Sequence, residues 1–210
     1  MNLQKLFETQ KVLRDRIGYK GEDRFEKLIL ALQVEIAECA NEFRGFKFWS
    51  KNQKSNLIDV VLKSEYRKKH NVIEGFTKSG TRRLILDDIE IPFTKIDEFY
   101  EIKNPLLEEY VDALHFLLEI GLELKYTNLS LASYETPSIE YQFNEVITAC
   151  CKVRESVESD WQEEEKQDEF DNLCMGFIGL GRMLGFTWEE IETAYFEKNK
   201  INHIRQDTGY

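Results

Sequence analysis

Two acidic pairs stand out by type and spacing. In EIAECANEFRGFKFWS, residues 35–50, Glu35 and Glu38 lie three apart beside Ile36, Ala37, Cys39, Ala40 and Phe43. In NPLLEEYVDALHFLLEIGLEL, residues 104–124, Glu109 and Asp112 repeat the spacing. Residues three apart share one side of an α-helix, so each pair presents two carboxylates in one direction. Two ionised carboxylates about 4 Å apart repel by roughly 4 kcal/mol at an effective dielectric near 20. Burial adds a penalty of several kcal/mol for each unpaired ion. Neither 28–43 nor 104–124 contains a lysine or arginine to neutralise them. A hard divalent cation with oxygen ligands resolves the conflict, and Mg²⁺, held by a few carboxylates plus substrate phosphates, suits it best. A single ExxE on a helix edge is commonly just solvated; the combination of two pairs, one on a nearly all-apolar segment, points to a metal.

A second chemical signature lies near the C-terminus. Lys198, Asn202 and Arg205 are spaced i, i+4, i+7, which is one helix face. Two cations and an amide donor on one face suit phosphate oxygens. The same charges also complement a helix C-terminus, worth about 0.3 to 1 kcal/mol each. That reading leaves the polar, glycine-terminated RQDTGY unexplained, and such a tail can order over a ligand.

Helices must position these groups. Leu3, Leu6, Phe7 and Leu13 have helical spacing over 2–16, and Gly18 and Gly21 break it. From Asp23 to about Phe43, the residues Phe25, Leu28, Ile29, Leu32, Ile36, Cys39 and Phe43 make one stripe. On a helical wheel Glu35 falls roughly 80° from the stripe centre and Glu38 about 140°. Asn104 and Pro105 suit the start of a helix over 104–124 that is apolar almost all round and therefore buried. Three more helices are expected at about 138–158, 160–184 and 188–204. Thr187 with Glu190 matches a capping box before the last.

Residues 51–104 differ in character. KNQKSN, EYRKKH and KSGTRR are basic and polar, and the stretch around Ser79-Gly80, ending at Pro92, alternates as a small hairpin does. The expected fold is a single all-α, bundle-like domain over 1–210 carrying a small β-containing insertion at 51–104.

Charge narrows the function. With 39 acids against 28 bases the net charge is −11, which argues against a nucleic-acid binder. No stretch approaches 18 uninterrupted apolar residues, and MNLQKLFETQ lacks the apolar segment of a signal peptide, so no membrane span is expected. Cys39, Cys150, Cys151 and Cys174 form no CxxC pair, which weakens disulfide and zinc readings and fits the reducing cytoplasm. Cys150 and Cys151 read as buried small hydrophobes, Trp161 and Trp188 as packing residues, His70 as solvent-facing, and the run EEEKQDE at 163–169 as a solvated face.

EIAECANEFRGFKFWS, LEEYVDALHF and YFEKNKINHIRQDTGY together resemble the dimeric, all-α dUTPase family within the wider MazG-like nucleoside triphosphate pyrophosphatases. The acid pairs alone would indicate only the wider group; the C-terminal motif narrows it. The resemblance implies hydrolysis of dUTP, with dUDP as a further candidate, and a homodimer. Glu35, Glu38, Glu109 and Asp112 would hold Mg²⁺, and Lys198, Asn202, Arg205 and Tyr210 would contact phosphates or close over the nucleotide. By the same resemblance Gln10 would read the uracil edge, Trp49 would sit near the pocket, and His115 and Phe116 would lie beside the nucleoside. Glu38 is preferred over Glu35 as the proton acceptor for an attacking water.

Two departures from that pattern matter. The acid pairs are separated by all of 39–108, far more than in relatives. Arg14 stands where some relatives carry an asparagine that helps the glutamine read the base. Alternatives of a different kind are a related pyrophosphatase acting on dCTP or another deoxynucleotide, and a regulatory interaction protein whose binding surface is the insertion.

Overall fold

The structure is a computed structural model that describes residues 3–129 and 132–209. Its first two helices fall where the apolar spacing demands them. α1 (Leu3–Ile17) buries Leu6, Phe7, Gln10 and Leu13, and α2 (Arg24–Phe43) buries Ile29, Leu32, Ile36 and Cys39. α2 stops at Arg44, whose left-handed backbone (φ 64°) turns its N–H onto Ala40 O.

The chain then forms a short-stranded segment: β1 (Asp59–Leu62), α3 (Ser64–Lys69), β2 (Val72–Phe76), β3 (Arg82–Leu86), β4 (Ile89–Glu90), a 3-10 helix (Phe93–Phe99) and β5 (Tyr100–Lys103). Four long helices follow: α4 (Pro105–Leu124), α5 (Ile139–Glu158), α6 (Glu163–Met183) and α7 (Trp188–Thr208). The protein is all-α with a small sheet insertion, as the sequence predicts.

The chain divides into two compact units, one from residues up to Asn56 and from Leu106 onward, the other Leu57–Pro105. Residues 51–56 thus stay with the helices. In the helical unit α4 is buried on nearly every side, with Leu106, Tyr110, Val111, Ala113, Leu114, Leu117, Leu118 and Ile120 inside. α1 packs on α7, α2 on α5, and α5 on α6. Gly121 makes the close approach possible: a Cβ there would lie 2.9 Å from Phe7 Cε1 and 3.0 Å from Phe170 Cζ. Thr187 and Glu190 form the expected capping box at the start of α7. α6 begins later than its periodicity suggests because Gln162 and Glu165 form a capping box of their own. The acidic run 163–169 is the first turns of α6, mostly exposed, where the helix dipole favours negative charge.

The Leu57–Pro105 unit has its own small core of Leu62, Leu84, Leu86, Ile96 and Tyr100. β2 and β3 form the expected hairpin, with Val72 opposite Leu86 and Phe76 opposite Arg82, and β4 pairs on β3. β1 and β5, the first and last strands, pair antiparallel from Asp59↔Lys103 to Leu62↔Tyr100. Just outside them Asn56 ties the helical unit together. Its N–H donates to Glu42 O (2.9 Å), its Nδ2 to Glu42 Oε2 (2.6 Å), and its carbonyl accepts from Leu106 N (3.2 Å). The chain therefore leaves the helices and rejoins them at hydrogen-bonded neighbours, so the long 39–108 separation puts no distance between α2 and α4.

Two expectations are corrected. Cys150 is buried but Cys151 is exposed, because adjacent residues on α5 face different ways. The helix expected over 188–204 continues to Thr208, so most of RQDTGY is helix rather than tail. Gly209 ends it in the left-handed conformation (φ 71°), donating to Arg205 O.

Candidate active site

α2 and α4 bring three carboxylates together. One oxygen each from Glu35, Glu109 and Asp112 lies within 4.8 Å of the others. All three are half-buried, because the stripes that bury Ile36 and Tyr110 carry these neighbours to the edge of the core. Glu38 is exposed and lies outside this set, though near enough for its charge to act on Glu35 and Glu109.

Electrostatics reflect the crowding. Burial first, then the negative charges of Asp112 and Glu38, push the Glu35 carboxyl up to about 7. Glu109 is pushed up to about 7 by burial and by Asp112, Glu38 and Glu35. Burial raises Asp112 too, against a direct hydrogen bond from Lys198 Nζ. A base thus reaches the acids although neither acidic segment carries one: Lys198 comes from α7. One cation against three carboxylates leaves an excess of negative charge. Three converging hard oxygens with that excess fit a divalent cation of the Mg²⁺ type.

The sign of a pH effect follows. Carboxyls whose folded values exceed the usual 4.5 stabilise the fold when protonated, and that contribution is lost as pH rises through about 7. The metal-free protein should therefore soften between about pH 5 and 8, and Mg²⁺ should raise its melting temperature more at pH 8 than at pH 6. Differential scanning fluorimetry with and without Mg²⁺ checks this; an equal shift at both pH values would contradict it.

Beside the carboxylates a cavity of about 390 Å³ opens in the helical unit. Glu35, Asp112, His115, Phe116, Lys198, Asn202 and Arg205 line it, as do Gln10, Arg14 and Glu119. The α7 face of Lys198, Asn202 and Arg205 thus stands over the same space as two of the acids.

At the other end Gln10 is 2 % exposed, and its amide is held by three side chains. Its Nε2 donates to Glu119 Oε1 (2.8 Å), and its Oε1 accepts from Tyr195 OH (2.8 Å) and faces His115 Nδ1 (2.7 Å). Because an amide oxygen only accepts, His115 carries its proton on Nδ1. Burial, with Lys198 nearby, drops the imidazole to about 3 and keeps it neutral. Its ring stacks on Tyr195 (centroids 4.3 Å apart).

Several residues named from the sequence lie elsewhere. Trp49 does not line the cavity; it is 66 % exposed and packs edge-on against Phe46 and Phe48. Tyr210 lies outside the described residues. His70 is half-buried and paired with Asp87 (2.6 Å). Arg14, singled out in the sequence as standing where some relatives carry an asparagine, lines the cavity, whereas the sequence reading names neither Glu119 nor Tyr195. Glu119 was detectable as the acid seven positions after Asp112, on the same face of the same helix.

A search of curated proteins returned no match. A family model described as dUTPase matches residues 2–69 and 97–210, passing over much of the β-containing unit but including α1, α2, α4 and all the later helices. That match spans the three carboxylates, the α7 cations and Gln10 alike, and the chain belongs to the all-α dUTPase family, a hydrolase of the dUTP diphosphatase type.

Proposed function

We propose that this dUTPase is Mg²⁺-dependent and hydrolyses dUTP to dUMP and pyrophosphate at the three-carboxylate end of the cavity. The observation that carries the reading is the meeting of Glu35, Glu109 and Asp112 next to Lys198, Asn202 and Arg205. Glu35, Glu109 and Asp112 would hold the cation, with Glu38 one turn along α2. Bound there, Mg²⁺ supplies charge neutralisation for phosphates that carboxylates would otherwise repel. Lys198 and Arg205 bind phosphate oxygens, and Asn202 donates a further hydrogen bond. Water adds to phosphorus, the P–O bond joining the α- and β-phosphates breaks, and Glu38 takes the water's proton on a carboxylate oxygen. Its exposed position suits a group that must pass that proton on to solvent.

The family resemblance also implies a homodimer. Leu30 (61 % exposed) and Val34 (45 %), one turn apart on α2, are apolar side chains that a second copy would cover. Light scattering on the purified protein decides it. A reducing cytoplasm suits the four free cysteines, and no helix among the described residues is long and apolar enough to cross a membrane.

The direct test is release of pyrophosphate from dUTP, dUDP, dCTP and dTTP, each with and without Mg²⁺. Turnover of dUTP unaffected by removal of divalent cations would end the reading. The insertion is taken to be accessory to this chemistry. Replacing residues 58–103 by a short glycine-serine link should leave kcat for dUTP within about fivefold, since Asn56 and Leu106 are already hydrogen-bonded neighbours. Loss of turnover in a folded deletion variant would give the insertion a catalytic part instead.

A further inference from the structure

α7 outruns the core that anchors it. Its last buried residue is Asn199, and all of 200–209 is half-buried or exposed, with Ile201 and Ile204 among the exposed side chains. Yet this overhang carries Asn202, Arg205 and Gln206, which line the cavity together with Leu13 and Ile17 of α1. A helix end without an apolar anchor opens at little cost. Something other than burial must keep these lining residues in place.

Arg16, in the last turn of α1, reaches across to this end. Its Nη1 donates to His203 Nδ1 (3.0 Å) and its Nη2 to Asp207 Oδ1. A guanidinium only donates, so Nδ1 is the bare, accepting nitrogen of the His203 ring. His203 and Asp207 are four apart and share a helix face, so one side chain fastens the last two turns of α7. The two helices run parallel: Lys5 lies over the Phe196 ring (4.6 Å), Leu6 O and Gln10 Oε1 accept from Tyr195 OH, and Arg16 meets His203 and Asp207 further along both. Their C-terminal ends therefore lie side by side, two partial negative charges to which Asp207 adds a full one. Arg16 stands among them and offsets all three.

We propose that Arg16 is a positioning residue: through His203 and Asp207 it holds the end of α7 against α1, so that Asn202, Arg205 and Gln206 stand over the cavity before substrate arrives. Its bearing on substrate rests on the proposed phosphate site at Lys198, Asn202 and Arg205. The ion pair is open to solvent, with Arg16 38 % and Asp207 62 % exposed, and such a pair contributes little to the stability of the whole fold. Opening of a helix end is opposed by equally little, so the same contact decides what fraction of molecules has the end in place. Substrate affinity scales with that fraction. Once phosphates engage Asn202 and Arg205 they hold the end themselves. The contact therefore governs capture of the nucleotide more than its turnover.

Two substitutions of opposite charge separate this role from a plain surface ion pair and from long-range attraction of the phosphates. Arg16→Ala removes a cation; Asp207→Ser removes an anion, serine and aspartate having similar helix propensities. Each full-length variant is compared with the wild type by dUTP kinetics with Mg²⁺, by melting temperature, and by amide hydrogen exchange without nucleotide. Both should raise KM about three- to tenfold and leave kcat within about twofold, with exchange over 200–209 faster and that of α2 and α4 unchanged. The melting temperature should hardly move. The exchanged pair, Arg16→Asp with Asp207→Arg, should recover most of the KM and slow the exchange again. If Asp207→Ser lowers KM while Arg16→Ala raises it, general charge attraction explains both and the proposal falls. Unchanged exchange over 200–209, or faster exchange with unchanged KM, overturns it as well. A wild type that releases no pyrophosphate from dUTP, with exchange still faster in Arg16→Ala, would defeat the phosphate-site reading and leave the hold of Arg16 on α7 standing.

Discussion

Glu109→Gln is expected to lower dUTP turnover by roughly 10³-fold or more while raising the melting temperature of the metal-free protein. The two effects have one cause. Glu109 sits within 4.8 Å of Glu35 and Asp112, and its carboxyl is pushed up to about 7 by burial and by three neighbouring acids. An amide of nearly the same shape removes a charge the empty fold does not favour, so the apo protein gains. A metal ligand is lost with it. Charge stabilisation by a bound cation is worth several kcal/mol, and each 1.4 kcal/mol is about tenfold in rate, which gives roughly 10³. Stopped-assay pyrophosphate release and calorimetry without divalent ions read the two sides separately. A variant that keeps turnover within a few-fold of wild type removes Glu109 from the metal site. One that melts lower in the apo form contradicts the electrostatic account.

Lys198→Met should be costly in both respects. Its ammonium is the partner of Asp112, and both side chains are 19 % exposed. Removing one member of a buried pair leaves the other uncompensated, at about 3–5 kcal/mol when fully buried. Partial exposure screens that, so about 1–3 kcal/mol of metal-free stability is expected to be lost. Mg²⁺ should restore part of it, because a cation again faces Asp112. Turnover should still fall by roughly 10²–10³, since a charge-assisted contact to the phosphates is gone. The double variant Lys198→Met/Asp112→Asn should recover most of the apo stability and none of the activity. Equal losses of stability with and without Mg²⁺ would mean that Lys198 and the cation do not share Asp112.

How far each feature could be read in advance depended on whether it was local. The apolar stripes of α1 and α2, the capping box at Thr187 and the β2–β3 hairpin each follow from neighbours a few residues apart, and the sequence states them directly. The site is different. Spacing alone put Glu35 with Glu38 and Glu109 with Asp112 on shared helix faces, but each helix also turns its members by 100° per residue. Packing of α2 on the core therefore brought Glu35 toward Glu109 and Asp112 and left Glu38 exposed. Trp49, read as a pocket aromatic, follows the left-handed stop at Arg44 and lies away from the cavity.

By itself, then, the sequence determined the helical framework, the presence of an inserted β-containing unit, the two acidic spacings, and the membership of the dUTPase family that its motifs carry. Only the tertiary structure decided that Lys198 on α7 meets Asp112, that Gln10 is locked among Glu119, Tyr195 and His115, and that Asn56 closes the gap left by the 39–108 separation. Periodicity fixes which face of a helix a side chain occupies. What stands opposite that face comes from another helix far along the chain, and burial, not spacing, then sets the charge and hydrogen-bonding state each group must adopt.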